Sequence, residues 1–172
     1  FYLIKFAKVM RMILENSEYR EVSLSSDLKA LELYMQLEAI RLKSKFNYEI
    51  IVRDDIDKEN ILVPPLILQP FVENSIWHGL MNKNGDGKII ITIKKENEML
   101  VCMVEDNGIG REKSSGFRSE IMDMNKKSLG MKITLARIDT INKLKNANAS
   151  VKLVDLDEGL RAEIILPLQP AF

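Results

Sequence analysis

The stretch LILQPFVENSIWHGL, residues 66–80, holds the chain's one histidine and sets it beside a carboxylate, an amide and an indole: Glu73, Asn74, Trp77 and His78. Leu66, Ile67, Phe71, Val72, Ile76 and Trp77 recur at helical spacing, which predicts a largely buried helix over 66–79. Pro64 and Pro65 stop regular structure before it, and Gly79 suits its end. On that helix Asn74 and His78 lie one turn apart on a common face, whereas Trp77 shares its face with Glu73 and reads as packing. Asn74 offers an amide oxygen suited to a hard cation such as Mg²⁺, which takes few protein ligands and keeps waters and phosphates. His78 taken alone reads as a core or surface histidine with one hydrogen bond. Two further segments draw it toward a site.

The first is VEDNGIG, residues 104–110, where an apolar strand runs into Asp106 and two glycines flank Ile109. A carboxylate at the end of a central strand is costly to bury unless something donates to it. The glycines let the backbone bend sharply and come close to something flat. The second is SLGMK, residues 128–132, with Gly130 where a polar loop meets a long helix. Free amides at a helix N-terminus attract anions, and a glycine there admits a phosphate. Each segment by itself is also compatible with an ordinary turn. NKNGDGKIIITI, residues 82–93, fails as a calcium loop because Ile93 stands where a bidentate carboxylate is needed, and GDGK fails as a phosphate loop.

Outward from these segments the chain divides in two. Leu3, Phe6, Met10 and Ile13 mark one face of a first helix, and SLSSD (23–27) supplies capping residues for a second, running to about Lys45. Their apolar faces suit either this chain's own core or a second copy. From Phe46 onward FNYEIIV, ILV, KIIITIKK, MLVCMVED, SVKLVD and LRAEIILP read as strands, with helices at 66–79 and 131–144. The order ββ-α-ββ-α-ββ predicts an α+β sandwich. The expected units are a helical segment over 1–45 and a mixed domain over 46–172. Residues 107–129 lack periodicity and read as a long loop.

Composition narrows the function classes. The 25 basic and 25 acidic residues balance, which argues against a general nucleic-acid binder. One cysteine, Cys102, and one histidine exclude a disulfide framework and zinc centres built from several such ligands. Cys102 sits in a strand-like run and reads as a buried, inert thiol. No stretch reaches the length of a membrane span, and the helical opening FYLIKFAKVMRMIL reads as the interior of a longer protein.

Together PPLILQPFVENSIWHGL, VEDNGIG and SLGMKITLARI resemble the N-box and two glycine boxes of the GHKL (Bergerat-fold) ATP-binding domain, more narrowly that of sensor histidine kinases of the LytS/YesM type. The upstream FAKVMRMILENSEYREVSLSSDLKALELYMQLEAIRL is similar to the stretch joining that branch's phosphoacceptor helix to its ATP domain. The resemblance implies a mixed sheet covered on one face by helices, ATP and Mg²⁺ as cofactors, and a catalytic role for Glu73. It also implies that Asn74 holds the metal and that Asp106 accepts from the adenine amino group. Gly108, Ile109 and Gly110 would shape the adenine pocket, with Gly79 beside it. His78 would lie near the phosphates, and Gly130, Met131 and Lys132 at the phosphate tail. Residues 111–129 become the ATP lid, with Lys113, Arg118, Lys126 and Lys127 as loosely assigned phosphate neighbours. Ser128, Ile133 and the run Leu160-Arg161-Ala162 depart from the branch's pattern. The phosphate-accepting histidine of the branch lies upstream of Phe1, so His78 is a site residue and not the acceptor.

The implied whole is a homodimeric kinase with a response-regulator partner and no nucleic acid. It would be the cytoplasmic domain of a bacterial inner-membrane protein, reaching the membrane only through its missing N-terminal part. Two other readings of the same fold are an ATP-gated interaction module without phosphotransfer and an ATPase using Glu73 to activate water.

Overall fold

The computed structural model describes residues 2–43, 45–110 and 129–171. Helix α1 spans Tyr2–Ser17. Strand β1, Val22–Ser23, leads into α2, Leu24–Arg41, whose N-cap Ser23 accepts the Ser26 N–H at 3.1 Å. Then come β2 (Phe46–Val52), β3 (Leu62–Val63), α3 (Gln69–Asn74) and a π-helical turn, Ser75–Leu80. β4 (Gly87–Glu96), β5 (Met99–Asp106), α4 (Leu129–Lys145), β6 (Ser150–Asp155) and β7 (Leu160–Pro167) complete the described elements.

Five strands form one mixed sheet in the order β2-β4-β5-β7-β6, parallel at β2–β4 and antiparallel elsewhere. The two expected hairpins are present, β4–β5 turning through left-handed Asn97 and β6–β7 through Gly159. The period-2 pattern sends Ile89, Ile91 and Ile93 to one face, where they meet Cys102, Val104 and Ile164. Helices cover that face: Leu24, Leu28, Leu31 and Met35 of α2, Phe71, Val72 and Ile76 of the 69–80 segment, and Met131 and Ile138 of α4 join the same buried cluster. α2 thus packs into the core of the strand-bearing unit. β1, too short to read from the sequence, and β3, within the expected strand ILV, pair antiparallel through Val22↔Val63 and fasten the start of α2 beside the chain leading to α3.

The apolar face of α1, which suited either this chain's core or a second copy, lies largely outside the core: Leu3 is 77% exposed and Phe6 and Met10 are exposed as well, while Val9 is buried. One helical expectation needs correction. The helix expected over 66–79 starts three residues late, at Gln69, because Leu66 adopts a left-handed φ of 59° that no α-helix contains. It also does not end at Gly79. The ladder widens at Ser75, with Met81 N–H reaching back five residues to the Ile76 carbonyl at 3.0 Å.

Candidate functional site

Asp106 ends β5 between β4 and β7, at 6% exposure. Its Oδ1 accepts the Gly108 N–H at 2.9 Å, and the Ser75 hydroxyl and Leu160 N–H also donate to the carboxylate. Burial raises its pKa above the ordinary carboxylate range even so, against the pull of those donors and of the Lys83 ammonium. Lys83 is fixed nearby by donating to the Asn107 carbonyl.

Glycines make this burial sterically possible. A Cβ on Gly79 would stand 2.9 Å from Asp106 Oδ1, and one on Gly108 would stand 2.5 Å from the Gly79 backbone. The Ile109 N–H donates to the Gly79 carbonyl at 3.1 Å, so the π-helical turn and the glycine turn after β5 are joined through the main chain. Gly110 has φ 71°, a left-handed conformation that side-chain-bearing residues rarely adopt.

Above Asp106 opens a narrow, partly enclosed pocket with a cavity volume of about 20 Å³. Asn74, Ser75, His78 and Gly79 line one side, Asp106 and Gly110 the floor, and Val104, Leu153, Leu160 and Ala162 an apolar wall. Asn74 and His78 therefore share a face, as their spacing predicts. Gly108, Ile109 and Gly110 border an adjoining polar pocket with Lys83, Asn84 and Gly159. The arrangement suits a flat, apolar ring with a polar edge: a slot between aliphatic side chains and glycine backbone, with one carboxylate at its base. Among the described residues no group of three or more His, Cys, Asp or Glu side chains gathers to hold a metal. A cation brought in with phosphates and needing only the Asn74 amide oxygen fits that donor set.

Four expected residues, Glu73, Gly130, Met131 and Lys132, line neither pocket. Glu73 lies on the opposite side of the helix, where its Oε1 accepts from Gln69 Nε2 at 2.9 Å and its charge helps raise the pKa of Tyr34, after burial the largest cause. Trp77 lies on that side as expected, its indole N–H donating to Tyr34 and its ring under the Arg41 guanidinium at 4.3 Å, but it is 38% exposed. Gly130 sits in the first turn of α4 with room for a Cβ only 3.3 Å from Pro70, Met131 is buried in the core, and Lys132 is exposed. Lys113, Arg118, Lys126 and Lys127, with all of the expected lid but Leu129, lie outside the described residues.

Ser75, Leu160 and Gly159 are site residues that sequence reasoning misses. Ser75 follows Asn74 directly, and a hydroxyl one turn before Gly79 is the signal that could have found it. Gly159, 53 residues from Asp106, carries no local signal beyond its turn.

The fold is that of the histidine-kinase catalytic domain. The chain superposes on the histidine kinase domain of the Erythrobacter litoralis EL346 blue-light activated histidine kinase with a TM-score of 0.64 at 12% identity, covering 97% of this chain and 79% of that one. For Acinetobacter baumannii histidine kinase AdeS the TM-score is 0.60 at 13% identity, over 94% and 76% of the two chains. For the nucleotide-free catalytic domain of histidine kinase ThkA it is 0.59 at 12%, over 87% and 97%.

In sequence, the chain is similar to LytS sensor kinases. It is 33% identical over 112 residues to the sensor histidine kinase/phosphatase LytS of Staphylococcus aureus strain MRSA252, and 34% identical over 110 residues to the sensor protein LytS of Staphylococcus saprophyticus. These matches take in 64% and 63% of this chain but only 19% and 18% of the relatives. The chain therefore spans about a fifth of the length of the curated relatives it matches. No family model matches it.

Proposed function

We propose that this chain is the ATP-binding catalytic part of a two-component sensor histidine kinase, which transfers the γ-phosphate of ATP to a histidine upstream of Phe1 and thence to a response regulator. The observation that carries the reading is Asp106: a carboxylate buried at the base of a glycine-walled slot, with Asn74 and His78 on the same rim. Asp106 orients the nucleotide by accepting from the adenine amino group, and the aliphatic wall of Leu153, Leu160 and Ala162 excludes water from the ring. Asn74 would hold Mg²⁺, which would supply charge neutralisation to the phosphates. His78 would lie on the phosphate side of the site. Phosphoryl transfer asks mainly for such positioning and charge stabilisation.

The exposed Leu3, Phe6, Met10 and Leu14 of α1 support a homodimer in the longer protein, since so much apolar surface on one helix calls for a cover. None of the described helices is long and apolar enough to cross a membrane, and the proposed place of this part is the cytoplasmic side of a membrane sensor.

Calorimetric titration of Mg-ADP into the chain and into Asp106→Ala tests the reading. Binding that the substitution abolishes supports it; absence of binding by the unaltered chain overturns it.

A further inference from the structure

Asp27, in the first turn of α2, is a carboxylate with 2% of its surface exposed. Its Oδ1 accepts the Leu66 N–H at 2.6 Å, and the Ile67 N–H donates to it as well. Leu66 is the left-handed residue, and two successive amides around a left-handed residue form a concave anion seat. From the other side Arg137 of α4 donates through Nη1 to the carbonyl of Pro65. Two helices from opposite ends of the chain therefore grip three consecutive residues, 65–67, with charged side chains.

Directly beyond this grip the chain becomes the wall of the pocket. α3 begins at Gln69 with Leu68 as N-cap, and no side chain caps it. Its local sequence does little to define where it starts, so its height and rotation are inherited from the turn before it. Asn74, Ser75 and His78 lie 8, 9 and 12 residues beyond Leu66 on the same continuous helical segment.

We propose that Asp27 is a positioning residue for the pocket: by seating the left-handed turn at Leu66, with Arg137 holding Pro65, it fixes where α3 begins and hence where Asn74, Ser75 and His78 stand. This rests on the nucleotide-site reading for its functional meaning, and it gives α2 a direct mechanical hold on that site. A displacement of α2 is passed to the pocket through one carboxylate and not through diffuse packing.

The test compares the unaltered chain with Asp27→Ala, Asp27→Asn and Arg137→Met. Backbone amide exchange is followed without nucleotide, and Mg-ADP affinity is measured alongside. Asp27→Ala is expected to speed exchange at residues 71–80 by about tenfold more than in β4 and β5, and to weaken Mg-ADP binding about tenfold. Asp27→Asn recovers part of both effects, because its side-chain oxygen still accepts the Leu66 N–H. Arg137→Met moves both readouts in the same direction and decides the matter if Asp27→Ala does not fold. Exchange that rises equally in all elements, or Mg-ADP affinity unchanged despite a lower melting temperature, overturns the proposal and leaves Asp27 a stability residue only. If no variant, nor the unaltered chain, binds Mg-ADP, the nucleotide reading falls, while the exchange pattern still decides whether Asp27 holds α3.

Discussion

Gly159 lies so close against Asp106 that a methyl group on it would stand 2.6 Å from the Asp106 carbonyl carbon and 2.8 Å from its Oδ1. Residues from two hairpins, 53 positions apart, thus occupy one van der Waals space. Gly159 also has φ 85°. Gly159→Ala must both strain the backbone and push the floor of the pocket aside. The expected loss is on the order of 3 kcal/mol or more, at the high end for a single methyl group. Urea denaturation of the variant measures it, and a midpoint unchanged from the parent would contradict the packing described.

Ser75 donates to the Asp106 carboxylate from inside the helix. Ser75→Ala removes one of the donors that keep this buried group usable as an acceptor, and so drives its pKa further up. The fold should survive at a cost of about 1–2 kcal/mol. Mg-ADP binding should weaken about tenfold. Calorimetry separates the two effects if it is run well below the melting temperature.

Asp27 gives a pH signature. Burial raises its pKa to about 6 from 3.8, opposed by the Leu66 and Ile67 amides and by Arg137; its charge in turn acts on the Cys102 thiol. Between about pH 4 and 6 the folded chain holds a proton that the unfolded chain has released. The contribution of this group to stability is therefore fully present below about pH 4 and is lost as pH rises through about 6. Over that span the loss is on the order of 3 kcal/mol. Unfolding free energies of the parent and Asp27→Asn, measured from about pH 4 to 7, should draw apart by that amount, the parent falling more steeply. Parallel curves would mean that the carboxyl titrates normally.

Cys102 is the only cysteine, fully buried in β5, and burial with the nearby Asp27 charge pushes its thiol up to about 12. A thiol-specific reagent at about pH 8 should leave the native chain unmodified and label it once in denaturant. Labelling under native conditions at a rate set by global unfolding fits the structure. Fast native labelling does not.

The sequence displays well whatever repeats or clusters locally. The alternation of KIIITIKK and MLVCMVED names two strands and their buried faces, and the glycines around Ile109 name a turn at the end of one. The contacts that finish the site are not local. Nothing near Gly159 announces that it must clear Asp106, because the crowding arises only when β5 and β7 pair. The start of α3 is hidden for a related reason. Leu66 and Ile67 continue an apolar period that suits a helix, and the groups that hold the left-handed turn there, Asp27 39 residues earlier and Arg137 far downstream, lie outside that local pattern. The outward face of α1 shows the same limit in reverse: an apolar stripe declares that it wants a partner, and says nothing of which one.

The hydrogen bond from the Ile109 N–H to the Gly79 carbonyl joins the two halves of the pocket, and both of its atoms belong to the main chain. Substitution of the side chains that line the slot leaves it intact, whereas proline at 109 removes the donor and a Cβ at Gly108 collides with the Gly79 backbone. The width of the slot is therefore a property that descends with the fold, whereas the residues facing into it are free to drift. Two descendants of this chain could come to prefer different ligands while keeping the same distance between the walls that grip them.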